Sequence, residues 1–335
     1  MRMRAALLPL PLLAGGCAGP QSMIGGGGFH SEQFGGLFSL FLWITALFYL
    51  LVIGFLVAAI ARRRGRAEDG LEKGGESHEG GLRTTLAAWA GLILLGLTVL
   101  TLASYVADAD SAAAGPRKAI QVEIVANQFW WDVKYQDPTQ SDNLRTANEL
   151  HLPVGVPVHI RLKSNDVIHS FWVPRLAGKQ DLIPGRINDI LLIAKRRGRY
   201  RGQCAEYCGV QHAHMALDVT AESPEDFKRW YTAQLAPAAM PTTPLARAGY
   251  DYFMTRECST CHSITGTKAS AQVAPDLTHL ASRKTIAAGT LPMTRGHLYA
   301  WVADPQGPKP GNNMPYIGLE PQELHSVVAY LETLK

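Results

Sequence analysis

Cysteine is scarce in this 335-residue chain, with five in all, and neither sign of charge is in excess. Charged residues make up 18% of the sequence and the formal net charge is only +4. Residues 118–236 hold 15 Lys or Arg against 13 Asp or Glu, and residues 246–335 hold 8 against 7. So even a balance gives no field that would gather nucleic acid or steer a strongly acidic partner, and nucleic acid is not an expected partner. The cysteines, Cys17, Cys204, Cys208, Cys258 and Cys261, are odd in number, two spaced C-x3-C and two C-x2-C. Two close pairs each sit beside a histidine, which reads as ligand or attachment chemistry, and Cys17 stands alone.

Long apolar runs are present instead. Residues 1–19 have a basic start (Arg2, Arg4), a short apolar core and small residues before Cys17, the pattern of a secretory signal too short to span a bilayer. Leu13-Ala-Gly-Gly-Cys17 looks like a lipoprotein processing site, which would make Cys17 a lipid anchor; ordinary cleavage nearby is the other reading. Residues 33–61 and 84–107 carry no charge, and each run exceeds the roughly 20 residues of a spanning helix. They predict a two-helix transmembrane hairpin over 33–107, with helices at about 37–61 and 84–107. Arg62, Arg63, Arg64, Arg66 and Lys73 lie in the loop between them, so the loop is expected on the cytoplasmic side of a bacterial cell membrane. Everything after about residue 108 is then on the outer face.

From residue 118 to 222 the pattern changes to short apolar and β-branched stretches at 120–126, 156–162, 167–173, 187–194 and 215–220, punctuated by Gly, Pro, Asn and Asp. Such spacing predicts an all-β sandwich or barrel. Ser223-Pro-Glu-Asp226 opens a helix with a capping serine, proline in the first turn and acids at the positive end. Residues 223–245 are read as that helix and a Pro-rich linker. Helical spacing at 244–257 and 321–334 makes residues 246–335 a small all-α domain.

Two constellations carry chemistry. In the first, Cys204-Ala-Glu-Tyr-Cys208-Gly-Val-Gln-His212-Ala-His-Met215 puts two thiols, an imidazole and a thioether within twelve residues. Soft sulfur ligands select copper over hard cations. A structural zinc site is the sober alternative, but zinc takes thiolate, imidazole and carboxylate rather than thioether. A mononuclear blue-copper site uses one cysteine with two histidines. Two cysteines plus Met215 therefore suggest an expanded, two-metal version, which needs another histidine from a distant strand, and His169 offers one.

At these residues the chain resembles a known family. Asp166-Val-Ile-His169-Ser-Phe-Trp-Val-Pro174, Lys179-Gln-Asp-Leu-Ile-Pro-Gly185-Arg186 and Cys204-Ala-Glu-Tyr-Cys208 are similar to the cupredoxin-like copper-A domain of cytochrome c oxidase subunit II, over about residues 34–231. The resemblance implies that Cys204 and Cys208 bridge two copper ions and that His169 and His212 ligate one each. Met215 then completes one copper and the backbone carbonyl of Glu206 the other. The Glu206 side chain would reach a magnesium or manganese ion shared with subunit I. His214, between two ligands, is expected to face outward. Gln128-Phe129-Trp130-Trp131 resembles the aromatic patch at which the family accepts electrons from soluble cytochrome c, with Phe129 in the place of the usual tryptophan. Simple packing of these rings is the other reading.

The second constellation, Cys258-Ser-Thr-Cys261-His262, reads as c-type haem attachment, the cysteines bonding the haem and His262 serving as proximal ligand. A thioredoxin-like CxxC is the rival, but no βαβ pattern surrounds it. A distal methionine must follow, and Met314 on a Gly- and Pro-shaped loop is preferred to Met293. Pro275-Asp-Leu-Thr-His279-Leu and the terminal Val328-Ala-Tyr330-Leu also resemble class I cytochrome c, with Tyr252 or Phe253 expected to meet Tyr330. The basic run from Lys195 to Arg199 is read as a solvated turn, and His30, His78, His151, His159, His279, His297 and His325 as surface or satisfied core residues.

The order of parts resembles subunit II of a caa(3)-type oxidase. It implies electron transfer from haem c through copper-A to haem in subunit I, where dioxygen is reduced to water with proton pumping. Subunits I and III, the membrane, and a donor such as a quinol–cytochrome c reductase or a soluble cytochrome c are the implied partners. A copper-A-containing nitric oxide reductase subunit and a stand-alone membrane-anchored electron-transfer protein are the rival readings.

Overall fold

The computed structural model describes residues 19–65, 77–113, 119–136 and 143–335. Cys17, Arg66 and Lys73 lie outside the described residues. Residues 33–114 form one compact unit, and residues 115–335 together with the segment before Gln33 form the other.

The first unit is built from helices α1 (Phe29–Gly65) and α2 (Ser77–Ala113), 37 residues each. At 1.5 Å per residue each is about 55 Å long, well beyond the roughly 30 Å of a hydrocarbon core. They overrun the expected spans because hydropathy marks only the apolar middle, whereas the backbone ladder continues through polar flanks such as Glu32 and Arg62. Both contain stretches long and apolar enough to cross a membrane. Trp43, Leu50, Leu94 and Tyr105 stand exposed, as expected for faces that meet lipid or partner helices. The hydroxyls of Thr84, Thr85, Thr98 and Thr101 donate to the carbonyls of Gly80, Gly81, Leu94 and Leu97 at 2.8–3.0 Å, so none of the four requires water.

In the second unit, ten strands make two five-stranded sheets. One has the order β3 (Leu144–Ala147), β2 (Trp130–Gln136), β1 (Ile120–Asn127), β5 (Val158–Ser164), β8 (Asn188–Leu192). The other has the order β4 (Glu149–Pro153), β10 (Ala216–Glu222), β9 (Gly198–Cys204), β6 (His169–Trp172), β7 (Gln180–Leu182). Alternation fixes the faces: in β5, Val158, Ile160 and Leu162 point inward, and in β9, Tyr200, Gly202 and Cys204 do so while Arg199 and Arg201 point out. The last part of the basic run is therefore the outer face of a strand rather than a turn. Ile124, Trp131, Tyr135, Leu150, Phe171 and Leu182 fill the core.

Helix α3 (Pro224–Gln234) begins as the sequence requires, with the Ser223 side chain accepting from the Asp226 N–H and proline in the first turn. Phe227, Trp230 and Tyr231 surround Tyr135, and Trp230 stacks on His151 at 3.9 Å between ring centroids. The helical domain follows, with α4 (Pro244–Thr255), α5 (Cys258–Cys261), the two-residue strands β11 (Thr285–Ile286) and β12 (Leu291–Pro292), α6 (Arg295–Ala303) and α7 (Pro321–Leu331). Helices α4 and α7 cross at Gly249, where a Cβ would collide with the Ser326 carbonyl, so only glycine permits the approach. Tyr330 meets Phe253 and Tyr250 edge-on at 5.8 and 5.5 Å, while the Tyr252 ring lies under the Arg256 guanidinium instead. His279 is a buried core residue, its Nδ1 2.9 Å from the Lys335 backbone oxygen and its Nε2 3.1 Å from the Gln234 and Ala236 carbonyls, which places the linker beside the chain end.

Candidate metal and haem centres

Three strands of one sheet converge on the first centre. In β6, Phe171 pairs with Cys204 of β9, and Ala216 of β10 pairs with Gln203. The Cys204 N–H donates to the Met215 carbonyl and the Ala205 N–H to the Ser170 carbonyl, both at 2.9 Å. His169, Cys204 and Met215 are thus brought together by sheet register, and the loop between β9 and β10 returns Cys208 and His212 to the same point.

The sulfur and imidazole atoms are evenly spaced. Cys204 Sγ is 3.8 Å from His169 Nδ1 and 3.8 Å from Cys208 Sγ. Cys208 Sγ is 3.8 Å from His212 Nδ1 and 3.9 Å from Met215 Sδ. The Glu206 carbonyl lies 3.2 Å from Cys204 Sγ. Such separations match the edges of a tetrahedron around a metal about 2.3 Å from sulfur. Cys204, Cys208, His169 and Met215 are all buried. The Cys208 S–H bonded to it, together with His169 and the Ser170 and Glu206 backbones, holds the Cys204 thiol well below the usual thiol range, and the Cys204 thiolate in turn pushes Cys208 up. Both sulfurs become thiolates together only beside a cation, so the donor set fits a metal, and its thioether favours copper. Glu206 and His214 are exposed side chains; His214 Nδ1 pairs with Gln211 Oε1 at 2.8 Å, outside the ligand cluster.

Asp166 stands behind the cluster. Its Oδ1 is 2.7 Å from His169 Nε2, on the side of the ring away from Cys204. Burial raises the Asp166 carboxyl, but hydrogen bonds from His169 and from the Gln128 and Val167 amides outweigh it and hold it below the usual range. A carboxylate in that place fixes the imidazole tautomer so that Nδ1 faces the sulfurs.

The second centre sits on one turn of helix. Cys258 is buried, which pushes its thiol up to about 11, and Cys261 is half-buried one turn on. His262 Nδ1 is 2.7 Å from the Pro275 carbonyl, and burial holds the ring neutral. Nδ1–H therefore donates to that carbonyl and Nε2 presents its lone pair, the tautomer an iron ligand needs. Half-buried Met254, Tyr299, Trp301, Ile317 and Leu319 border the core that contains Cys258, an apolar rim suited to a large planar group. Met314 lies on a self-bonded loop: Gln306 Nε2 donates to the Asn312 and Met314 carbonyls, and the Met314 N–H donates to Asn312 Oδ1. Met293, by contrast, packs against the core of the helical domain.

The two centres belong to one packed body. Arg145 of β3 bonds Asp132 within the sandwich at 2.8 Å and reaches Ser263 Oγ and the Gln272 and Ala274 carbonyls beside the His262 loop. Arg283 answers from the helical domain, donating to Thr146 Oγ1, with its Nε 3.4 Å from Glu149. On the other side, Gln211 Nε2 donates to the Pro310 carbonyl, and Lys309 Nζ donates to three carbonyls, two of them in the sandwich domain. The aromatic patch is divided among several settings. Trp131 is core, edge-on to His169 and Phe171. Phe129 is buried with its ring against Gly209 of the copper loop, and Trp130 is half-buried.

Comparison with known proteins agrees with both centres. The family described as cytochrome C oxidase subunit II, periplasmic domain, matches residues 121–222, and the cytochrome c family matches residues 246–335. Cytochrome c oxidase subunit 2 of Alkalihalophilus pseudofirmus is 34% identical over 245 residues, covering 73% of this chain and 70% of the relative. The chain belongs to the cytochrome c oxidase subunit 2 family. Relatives bearing that name in Bacillus subtilis and in Bacillus sp. strain PS3 are 29% and 32% identical. The first covers 100% of this chain and 98% of its own length, the second 73% and 71%. As a subunit 2 with a fused cytochrome c domain, the chain carries a copper-A domain and a haem c domain, and the Cys204, Cys208 and His169 cluster fits the former. The ligand-bearing motifs were legible in the sequence, but Arg145 and Lys309 were not singled out, and Gln128 only as the start of the aromatic patch; their partners lie up to 185 residues away. Asp166, three residues before His169, had a local signal in that spacing.

Proposed function

We propose that the chain is the electron-receiving subunit of a bacterial haem–copper terminal oxidase. It relays electrons from a covalent haem c to a dinuclear copper-A centre and on to haem in subunit I, where dioxygen is reduced to water and protons are pumped. The observation that carries this reading is the packing, within one chain, of the Met314 loop against the copper loop, with Gln211 bonded to Pro310 and Asn313 to Gln128.

Cys258, Cys261, His262 and Met314 would hold the haem. Cys204, Cys208, His169, His212, Met215 and the Glu206 carbonyl would hold the copper pair. When bound, the haem would supply a one-electron centre whose potential a thioether raises, and the copper pair would supply a second one-electron centre. The protein's own residues keep both in fixed surroundings. The sandwich core excludes water from Cys204, Cys208 and Met215, while Asp166 and the Pro275 carbonyl hold the two imidazoles in their ligating tautomers. The exposed Glu206 carboxylate would reach a magnesium or manganese ion shared with subunit I. Trp131, edge-on to His169, and half-buried Trp130 remain the aromatic electron-accepting elements of the proposal. With Phe129 buried, a donor such as a soluble cytochrome c or a quinol–cytochrome c reductase would deliver to the haem domain. Subunits I and III would surround the hairpin in the bacterial cell membrane, with both redox domains on the outer face and Cys17 as an added lipid anchor.

Purification of the full chain from its native membrane in mild detergent tests this. Recovery with a large multi-helix haem protein that consumes dioxygen is expected. Turnover of nitric oxide in place of dioxygen would move the chain to a nitric oxide reductase, and isolation as a lone redox protein would sink both enzyme readings.

A further inference from the structure

The loop from Pro305 to Met314 holds a lysine in an unusual place. Lys309 is 2% exposed, and its Nζ donates to the carbonyls of Phe129, His214 and Ala287, each at 2.9 Å. All three donors of an ammonium group are used, and no carboxylate is among the partners. Burial pushes this ammonium down to about 7, so the carbonyl dipoles are what offsets the loss of its hydration. A long side chain also loses rotamer freedom on being fixed. A covered apolar contact would hold two domains together more simply.

What Lys309 places is specific. Four residues on, Asn313 Nδ2 donates to the Gln128 carbonyl at 2.8 Å, and the Gln128 side-chain Nε2 donates to the Cys208 carbonyl at 2.5 Å. Met314 is bonded to Asn313 through the backbone. Side chain and main chain thus make a bridge with two hydrogen bonds from the residue next to Met314 to the cysteine of the copper loop. Gly209 beside it leaves the room, since a Cβ there would come within 3.0–3.1 Å of the Phe129 ring and the Gln128 amide.

We infer that Lys309 is a positioning residue for interdomain electron transfer: it pins the Pro305–Met314 loop to the Phe129 and His214 carbonyls so that Asn313 and Gln128 form the bonded bridge to Cys208. This rests on the relay reading of the two centres, and it names the residues across which the electron passes.

The test uses the full chain in the purified complex, with Lys309→Met, which keeps the stem and removes the donors, and Asn313→Ala at an exposed position. The Ala216 N–H donates across the same interface to the Ala288 carbonyl at 2.9 Å, so its hydrogen exchange reports docking without any turnover. Lys309→Met is expected to accelerate Ala216 exchange by about tenfold or more, because buried acceptors lose a charged donor. It should also slow haem-to-copper transfer after pulsed reduction by up to about a hundredfold, the order that misplacement by about 1 Å costs at a positioned site. Asn313→Ala should slow the transfer and leave the exchange unchanged. In both variants the red absorption band of methionine-ligated ferric haem and the copper spectrum should be those of the parent. Unchanged transfer in Lys309→Met, whether or not exchange accelerates, would reduce Lys309 to a structural role and overturn the inference. A preparation without copper or covalent haem would refute the relay reading instead, while Ala216 exchange remained readable.

Discussion

Asp166 holds His169 from behind, its carboxylate 2.7 Å from Nε2 while Nδ1 faces Cys204 at 3.8 Å. The carboxylate also accepts from the Gln128 N–H, so the residue that orients a metal ligand also anchors the segment on which the haem-side loop rests. Replacing it by asparagine keeps the shape and removes the charge. Asp166→Asn should weaken copper affinity by about 10–100-fold, the usual cost of losing such an outer partner. Competition with a copper chelator measures this, and parental affinity in the variant would show that Asp166 does not act through His169.

The choice between the two methionines has a spectroscopic answer. Met314→Leu should abolish the red band of methionine-ligated ferric haem and lower the haem potential by on the order of 0.1 V, a modest share of the roughly 0.8 V that axial ligands span. Met293→Leu, in the packed rim of the helical domain, should leave both nearly unchanged. Replacing Met314 should also impair electron input more than replacing Phe129. The reverse pattern in a redox titration of the two variants would make Met293 the ligand.

Gly249 sets how closely α4 and α7 pack. Gly249→Ala puts a methyl group on the Ser326 carbonyl, and with backbone on both sides neither helix can yield without moving whole. A loss of about 1–3 kcal/mol is expected, typical of forcing an extra carbon into a packed site. Thermal unfolding followed at the haem absorption band would report it, and a transition at the parental temperature would place the crossing elsewhere.

How much of this was written in the sequence depends on how far apart the partners lie. Cys204 to Met215 and Cys258 to His262 are local clusters, so most of each ligand set could be read in one pass, with His169 and Met314 sought further along, and charge-free runs announced α1 and α2. Strand β9 was hidden because its outward residues, Arg199 and Arg201, continue a basic run, while the inward Tyr200, Gly202 and Cys204 carry the pattern only once the sheet is known. Trp131 looked like part of a surface patch because its neighbours Phe129 and Trp130 are aromatic too, yet strand alternation turns it into the core. The interface was illegible for a plainer reason. Arg145 and Lys309 find their partners only after two domains have folded, and nothing local distinguishes them from solvated cations.

Metal and haem analysis of the purified full chain tests the central claim most directly. About two coppers and about one covalently bound haem per chain are expected from the two donor sets. Zinc with no copper, or a haem that organic solvent extracts from the protein, would contradict it.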